Sequence, residues 1–153
     1  MAHIPVNHPL RRLYKTLTAF AGLYILIFGI VGLTKTSGMA LFSQSNLPRV
    51  LGLRTNLAFA ILSVLGGLVM LAAVAIGRNV DHYMEIAAGG VFIFVGLLML
   101  ALLQTDANFL GFSMVNCIVS FILGMVVFAA GLYGKTGSEN DVAAEEAFRH
   151  HQR

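Results

Sequence analysis

Long uncharged stretches of apolar residues alternate with short charged connections along this chain. Four stretches contain no charged residue, namely 16–34, 55–77, 86–105 and 107–134, and they are 19, 23, 20 and 28 residues long. An α-helix needs about 20 apolar residues to cross a hydrocarbon core of about 30 Å. A helix at the surface of a soluble core would instead carry a polar stripe. The pattern predicts an all-α, polytopic membrane protein with four transmembrane helices.

The charged connections set the expected boundaries. The first uncharged stretch follows Arg11, Arg12 and Lys15 and lacks a small-x-small cleavage site before a polar mature domain, so we expect an uncleaved span rather than a signal peptide. We expect an N-terminal tail at 1–12, spans at about 13–34, 55–77, 84–104 and 107–134, an external loop at 35–54 and a C-terminal tail at 135–153.

Composition and charge agree with this class. Charged residues make up 11% of the chain, against about 25% in an average soluble domain. The net charge of +3 would suggest nucleic acid for a soluble protein, but the basic residues lie beside the spans, so anionic headgroups and topology explain them better. Seven Lys and Arg lie on the side of the termini, against Lys35, Arg49 and Arg54 on the other side. The positive-inside rule therefore predicts cytoplasmic N and C termini.

An internal repeat relates the second and fourth spans. Segments 64–78 and 121–135 align without gaps, and their small residues coincide. The first and third spans resemble each other weakly, which predicts a tandem duplication of a helical hairpin. Pairs of small residues four positions apart allow close helix packing. These candidate packing residues are Ser63, Gly67, Ala73, Gly77, Ser120, Gly124, Ala130 and Gly134. They could pack the second span on the fourth, or dock onto the helix of a partner.

The external loop and the C-terminal tail also carry predictions. The loop is apolar rather than a polar linker, and Pro48 fits the start of a helix there. Candidate residues for contact with a partner or a lipid are Leu41, Phe42, Arg49, Arg54 and Asn116. In the tail, Ser138 as a cap and Glu145 four residues before Arg149 predict a short helix.

The chain offers little for chemistry. Glu85 and Asp106 lie at span ends, where we expect them to be solvated. Asp81, His82 and Glu85 lie within five residues and could together hold a metal loosely, but we interpret them as a solvated helix start. Cys117 is the only cysteine, which excludes an intramolecular disulfide. We predict no catalytic, metal or cofactor site. Proton-coupled exporters, haem-binding membrane cytochromes and thiol-oxidation enzymes would each need residues that the spans lack.

One polar strip remains in the fourth span. Ser113, Asn116, Cys117 and Ser120 follow helical spacing, and Asn116 and Ser120 share one face. Interhelical hydrogen bonds of this kind average about 0.6 kcal/mol. We interpret the strip as a packing contact, with the headgroup of a lipid or quinone as the alternative.

Three segments carry a family resemblance: HPLRRLYKTLTAFAGLYILIFGIVG at 8–32, LGLRTN at 51–56 and LGFSMVN at 110–116. They resemble a family of actinobacterial four-span membrane proteins of unknown function, in which a histidine often follows the two asparagines; that histidine is absent here. In size and topology the chain is also similar to accessory subunits of the actinobacterial cytochrome bcc–aa3 respiratory supercomplex. The lack of candidate chemistry, the small-residue helix faces and the apolar external loop lead us to predict a non-catalytic accessory or assembly subunit of a larger complex in a bacterial inner membrane, with lipids and other membrane subunits as its partners. The alternatives are a small oligomeric transporter or channel and a free-standing envelope or stress protein.

Overall fold

The computed structural model describes residues 7–137 together with 140, 142 and 143, and the regular secondary structure of this part of the chain is almost entirely helical. Its elements in order are α1 (Arg11–Lys35), β1 (Arg49–Val50), β2 (Leu53–Arg54), α2 (Leu57–Ile76), α3 (Val80–Ala101) and α4 (Met114–Tyr133). All four helices are long and apolar enough to cross a membrane. The protein is therefore an all-helical, multi-pass membrane protein. The C-terminal helix predicted from Ser138 onward lies outside the described residues, except for 140, 142 and 143.

Polar side chains and glycines set the ends of α2 and α4. The side chain of Asn56 accepts a hydrogen bond from the backbone N–H of Phe59 and so caps α2. Ser113 and Asn116 form a capping box at the start of α4. At the other end, Gly77 with φ of 64° terminates α2, a conformation that favours glycine.

Two helices begin at positions other than those that the uncharged stretches suggested. α3 begins at Val80 rather than near 84, so Asp81, His82 and Glu85 lie inside its first two turns. α4 begins at Met114 rather than near 107. The intervening segment turns because the Asn108 side chain bonds the backbone N–H and C=O of Phe112.

The helices pack as two tight hairpins, α1 with α2 and α3 with α4. A Cβ atom on Gly67 would lie 2.7 Å from the backbone nitrogen of Leu26 and 2.9 Å from the carbonyl oxygen of Gly22. In the second hairpin, a Cβ atom on Gly124 would lie 3.0 Å from the carbonyl oxygen of Gly89. The helix backbones therefore touch directly, as small residues allow in lipid.

The two hairpins are built alike. α2 and α4 both have 20 residues, and their first residues, Leu57 and Met114, are as far apart in sequence as their last, Ile76 and Tyr133. Gly67 of α2 packs on α1, and Gly124 of α4 packs on α3. Among the described residues α2 has its main contacts with α1 and α4 has its main contacts with α3, so packing of the second span directly on the fourth, one of the two sequence interpretations, was wrong.

The bundle has two ends. The terminal end carries residue 7 and Lys135, and the loop end carries 36–56 and 102–113. The helix predicted after Pro48 is absent from 36–56; instead, β1 and β2 form a short antiparallel hairpin that pairs Arg49 with Arg54. Its turn residues, Leu51 and Gly52, have φ of 49° and 86°, which is the backbone of a type I′ turn and incompatible with a helix.

Candidate functional site

An ionic cluster lies inside the terminal end, where α1, α3 and α4 meet. Asp81, His82 and Glu85 are 1%, 3% and 1% exposed, so the prediction that water solvates these residues was wrong. Arg11 and Lys15 from α1 approach Asp81 Oδ2 at 3.3 Å and 3.2 Å. The two cations come from a distant part of the sequence and compensate the charge that burial would otherwise make costly.

Backbone carbonyls of α4 complete the cluster. His82 Nδ1 lies 2.6 Å from the carbonyl oxygen of Gly131, so Nδ1 carries the proton and donates. Arg11 Nε donates to the carbonyl oxygen of Gly134 at 2.9 Å. A Cβ atom on Gly134 would lie 3.1 Å from Glu85 Oε2. The cluster therefore ties the start of α3 to the end of α4.

Three buried oxygen atoms of this cluster have no hydrogen-bond partner among the described residues: Thr18 Oγ1, Asp81 Oδ1 and Glu85 Oε1. The cluster contains two cations, Arg11 and Lys15, and two carboxyl groups, those of Asp81 and Glu85. Its net charge is therefore zero when both carboxyl groups are ionised. In the described part of the chain, no three His, Cys, Asp or Glu side chains lie close enough together to hold a metal ion. Asp106, the other residue expected at a span end, is exposed.

The polar residues of the loop end connect segments rather than helices. Asn116 Nδ2 donates to the carbonyl oxygen of Arg54 at 2.8 Å, and Asn116 Oδ1 accepts the N–H of Arg54 at 3.1 Å. Of the predicted polar strip, Ser120 alone bonds another helix, since its Oγ donates to the carbonyl oxygen of Phe92 at 2.8 Å. Cys117 is buried with a free thiol. Asn116 therefore fixes the segment between α1 and α2 to the start of α4.

An apolar cavity of about 440 Å³ lies between the two hairpins and is called the seam here. All four helices line it: Tyr24 and Phe28 of α1, Phe59 and Met70 of α2, Met84 and Phe92 of α3, and Asn116 and Leu123 of α4. It opens between α2 and α3, because the lining residues Leu62, Val69 and Val91 are exposed. The seam is the space left where two tight hairpins meet loosely.

A second, polar groove of about 380 Å³ adjoins the seam at the loop end, and Phe112 lines both. Arg49 and Arg54 lie in this groove, opposite each other on the β ladder. Lys35 approaches them, since its Nζ donates to the carbonyl oxygen of Arg49 at 3.0 Å. Leu41 and Phe42, the other predicted contact residues, are exposed near this groove rather than in it.

The candidate packing residues fall into three environments. Gly67 and Gly124 lie at helix contacts, and Gly77 and Gly134 follow the ends of α2 and α4. Ser63, Ser120, Ala73 and Ala130 are buried, and the two serines also line the seam. The sequence interpretation missed the seam and the ionic cluster. A signal for the cluster existed, because Asp81 and Glu85 are four residues apart and share a helix face.

Comparisons with protein-family models, with curated proteins and with solved structures find no match to this chain. The resemblance to an actinobacterial family therefore stays a prediction that rests on the quoted segments.

Proposed function

We propose that the protein is a non-catalytic accessory or assembly subunit of a larger complex in a bacterial inner membrane, with both termini in the cytoplasm. The complex to test first is the actinobacterial cytochrome bcc–aa3 respiratory supercomplex, because the sequence resemblance points there. The observation that carries the proposal is a rigid apolar surface at the loop end.

Leu41, Phe42 and Phe109 form this surface, and they are 44%, 54% and 41% exposed. The rings of Phe42 and Phe109 lie 6.1 Å apart, edge to face. Aromatic side chains that project from a protein are the usual anchors of a binding interface. Phe42 and Phe109 come from different loops, so the surface exists only because the fold brings these loops together.

The backbone beneath the surface is held by hydrogen bonds. Asn56 Nδ2 donates to the carbonyl oxygens of Ser43 at 3.2 Å and Phe109 at 2.8 Å. The N–H of Ala58 donates to the carbonyl oxygen of Leu41 at 3.0 Å. A surface ordered before binding loses little conformational entropy when a partner docks. This order favours a binding role over a loop that merely connects two spans.

The charges around the surface indicate the partner's chemistry. Lys35, Arg49 and Arg54 are the basic residues at this end, and Asp106 is the only acidic residue in its two loops. Complementary charge steers association and fixes register. We therefore expect the partner to be an integral membrane protein with an apolar pocket in a surface that is acidic overall.

Purification of the full chain through a C-terminal tag in mild detergent, from an actinobacterial host, tests the proposal. Haem absorbance in the eluate reports cytochrome subunits directly. We expect co-elution that falls by at least tenfold in the double variant Phe42→Ala/Phe109→Ala, because two anchors that each contribute on the order of 1 kcal/mol together contribute about 2 kcal/mol. The matched control is Phe20→Ala/Phe94→Ala, two phenylalanines that are similarly exposed but lie on the spans.

Two results would overturn the proposal. Elution of the protein alone or as a homodimer, without haem, would rule out that the protein is a subunit of this complex. Equal recovery from the loop and span variants removes the loop-end surface as the docking site.

One observation favours a second candidate, a small transporter or channel. Embedded carboxyl groups mark ion and proton pathways in membrane proteins, and Asp81 and Glu85 are buried within a span. Uptake of a fluorescent cation into vesicles, driven by a pH gradient and lost in Glu85→Gln, would support this candidate. Absence of gradient-driven uptake in vesicles that contain the oriented protein would exclude it for that substrate.

A further inference from the structure

The seam suits an apolar occupant. Its lining is almost wholly apolar, and it opens towards the surrounding lipid between α2 and α3. Water is a poor occupant because it needs two to four polar partners. The hydroxyl groups of Ser63 and Ser120, which line the seam, already donate to the carbonyl oxygens of Phe59 and Phe92.

The dimensions of the seam fit one hydrocarbon chain. On α2 the lining runs from Phe59 to Met70, which corresponds to about 16 Å of helix. That length is about half of a hydrocarbon core of ~30 Å, the depth of one leaflet. The opening between α2 and α3 faces sideways, so a chain enters from the surrounding lipid without leaving it.

The groove beside the seam fits an anion. Arg49 and Arg54 are direct partners on the β ladder, where like charges destabilise each other. Within the described residues, every salt bridge involves Asp81 at the opposite end of the bundle, so no acidic side chain neutralises this pair. Lys35 adds a third positive charge. Arginine pairs bind phosphate oxygens strongly and with defined geometry.

The apolar and cationic compartments are continuous. Phe112 lines both, and the adjacent residues Leu53 and Arg54 line the seam and the groove respectively. Asn116 fixes the backbone of Arg54 at the junction. We propose that the protein binds one anionic phospholipid, with an acyl chain in the seam and its phosphate between Arg49 and Arg54. This site does not depend on the proposed accessory role.

Native mass spectrometry of the delipidated full chain in detergent tests the inference. The probes are dioleoyl phosphatidylglycerol, dioleoyl phosphatidylcholine with the same chains, and inorganic phosphate. We expect a one-to-one adduct with phosphatidylglycerol that is at least about tenfold tighter than with phosphatidylcholine, because Arg49, Arg54 and Lys35 attract the net negative charge that phosphatidylcholine lacks. Inorganic phosphate alone should give no stable adduct, because it lacks the chain.

Variants separate the two compartments. Arg49→Gln/Arg54→Gln should lower the affinity for phosphatidylglycerol to the affinity that the unmodified chain has for phosphatidylcholine. Arg12→Gln/Arg78→Gln, at the terminal end, should leave the affinity for phosphatidylglycerol unchanged. Gly66→Leu should lower the affinity for both lipids by about tenfold, because Gly66 lines the seam and a side chain added there would extend into its open space. Gly90→Leu is the control, since Gly90 also has open space but does not line the seam.

Equal affinity for the two lipids in the unmodified chain would overturn the headgroup assignment. An adduct with inorganic phosphate as stable as that with phosphatidylglycerol would assign the groove to a free anion. Equal lipid binding by Gly66→Leu and Gly90→Leu would remove the seam as the chain site. Thermal unfolding without lipid checks that each variant folds, and Ala87→Leu, also at the seam opening, replaces Gly66→Leu if that variant does not.

Discussion

Asn116 and Arg54 bond each other as two residues on adjacent strands would, although Asn116 lies in a helix and uses its side chain. Its amide donates to the Arg54 carbonyl at 2.8 Å and accepts the Arg54 N–H at 3.1 Å. Asn56 makes the reciprocal connection, because its amide donates to the carbonyl oxygen of Phe109 at 2.8 Å. The second helix of each hairpin thus holds the loop of the other hairpin. These bonds join the hairpins at one end and leave the seam between them open.

Replacing Asn116 with alanine should destabilise the protein by about 2–3 kcal/mol. The change removes two hydrogen bonds to Arg54 and two to Ser113, and it leaves the partly buried backbone N–H and C=O of Arg54 without these partners. Equilibrium unfolding in detergent measures the loss. Ser45→Ala, at an exposed position of the same loop, is the control and should stay within about 0.5 kcal/mol of the unmodified chain. Indistinguishable losses from the two variants would show that the hydrogen bonds of Asn116 contribute nothing to the free energy of unfolding.

Two adjacent glycines of α2 should respond in opposite ways to alanine. A Cβ atom on Gly67 meets the α1 backbone at 2.7 Å, whereas one on Gly66 meets nothing within 4 Å. Gly67→Ala should therefore cost about 1–3 kcal/mol through overpacking. Gly66→Ala should be neutral or stabilising by up to about 1 kcal/mol, because alanine favours the helix. Unfolding in detergent compares the two, and a larger loss at Gly66 would contradict the orientation of α2 against α1.

Much of the fold follows from the sequence because hydrophobic length is a local property. The stretch 55–77 contains α2, and the stretch 107–134 contains α4, since lipid requires an uninterrupted apolar helix. The repeat between these two stretches agrees with the equal length of α2 and α4. The start of α4 was less predictable, because the segment before it is as uncharged as the helix and turns through the Asn108 side chain.

The candidate sites were harder to predict because each depends on distant residues. Asp81 is buried only because Arg11 and Lys15 reach it from α1, a pairing across 70 positions in the case of Arg11. Asn116 looked like an interhelical contact because helical spacing places it on the face of Ser120, but its partner Arg54 lies in the segment between α1 and α2. The seam depends on how two hairpins meet, which no local pattern encodes.

The turn between β1 and β2 stores strain at Leu51. Its φ of 49° is in the left-handed region, which costs a residue other than glycine about 1–2 kcal/mol. Leu51 is exposed, so replacing it with asparagine or glycine sacrifices little packing. We expect Leu51→Asn to stabilise the protein by up to about 1 kcal/mol, because asparagine tolerates this conformation. Gly52→Ala, with φ of 86°, should destabilise it in the same unfolding experiment. Destabilisation by both variants would show that another property of Leu51 dominates.

The two carboxyl groups of the ionic cluster should differ in their contribution to stability. Asp81 receives both Arg11 and Lys15, so Asp81→Asn leaves two partly buried cations without their partner. Removing one partner of a buried pair costs about 3–5 kcal/mol, and we expect about 3 kcal/mol because the cations are roughly a quarter exposed. Glu85 makes no salt bridge within the described residues and has an unpartnered Oε1, so Glu85→Gln should change stability by no more than about 1 kcal/mol. Asp106→Asn, at an exposed position, controls for the loss of one negative charge. Unfolding in detergent at neutral pH distinguishes the three variants, and equal losses from Asp81→Asn and Asp106→Asn would contradict the ion pairs between α1 and α3.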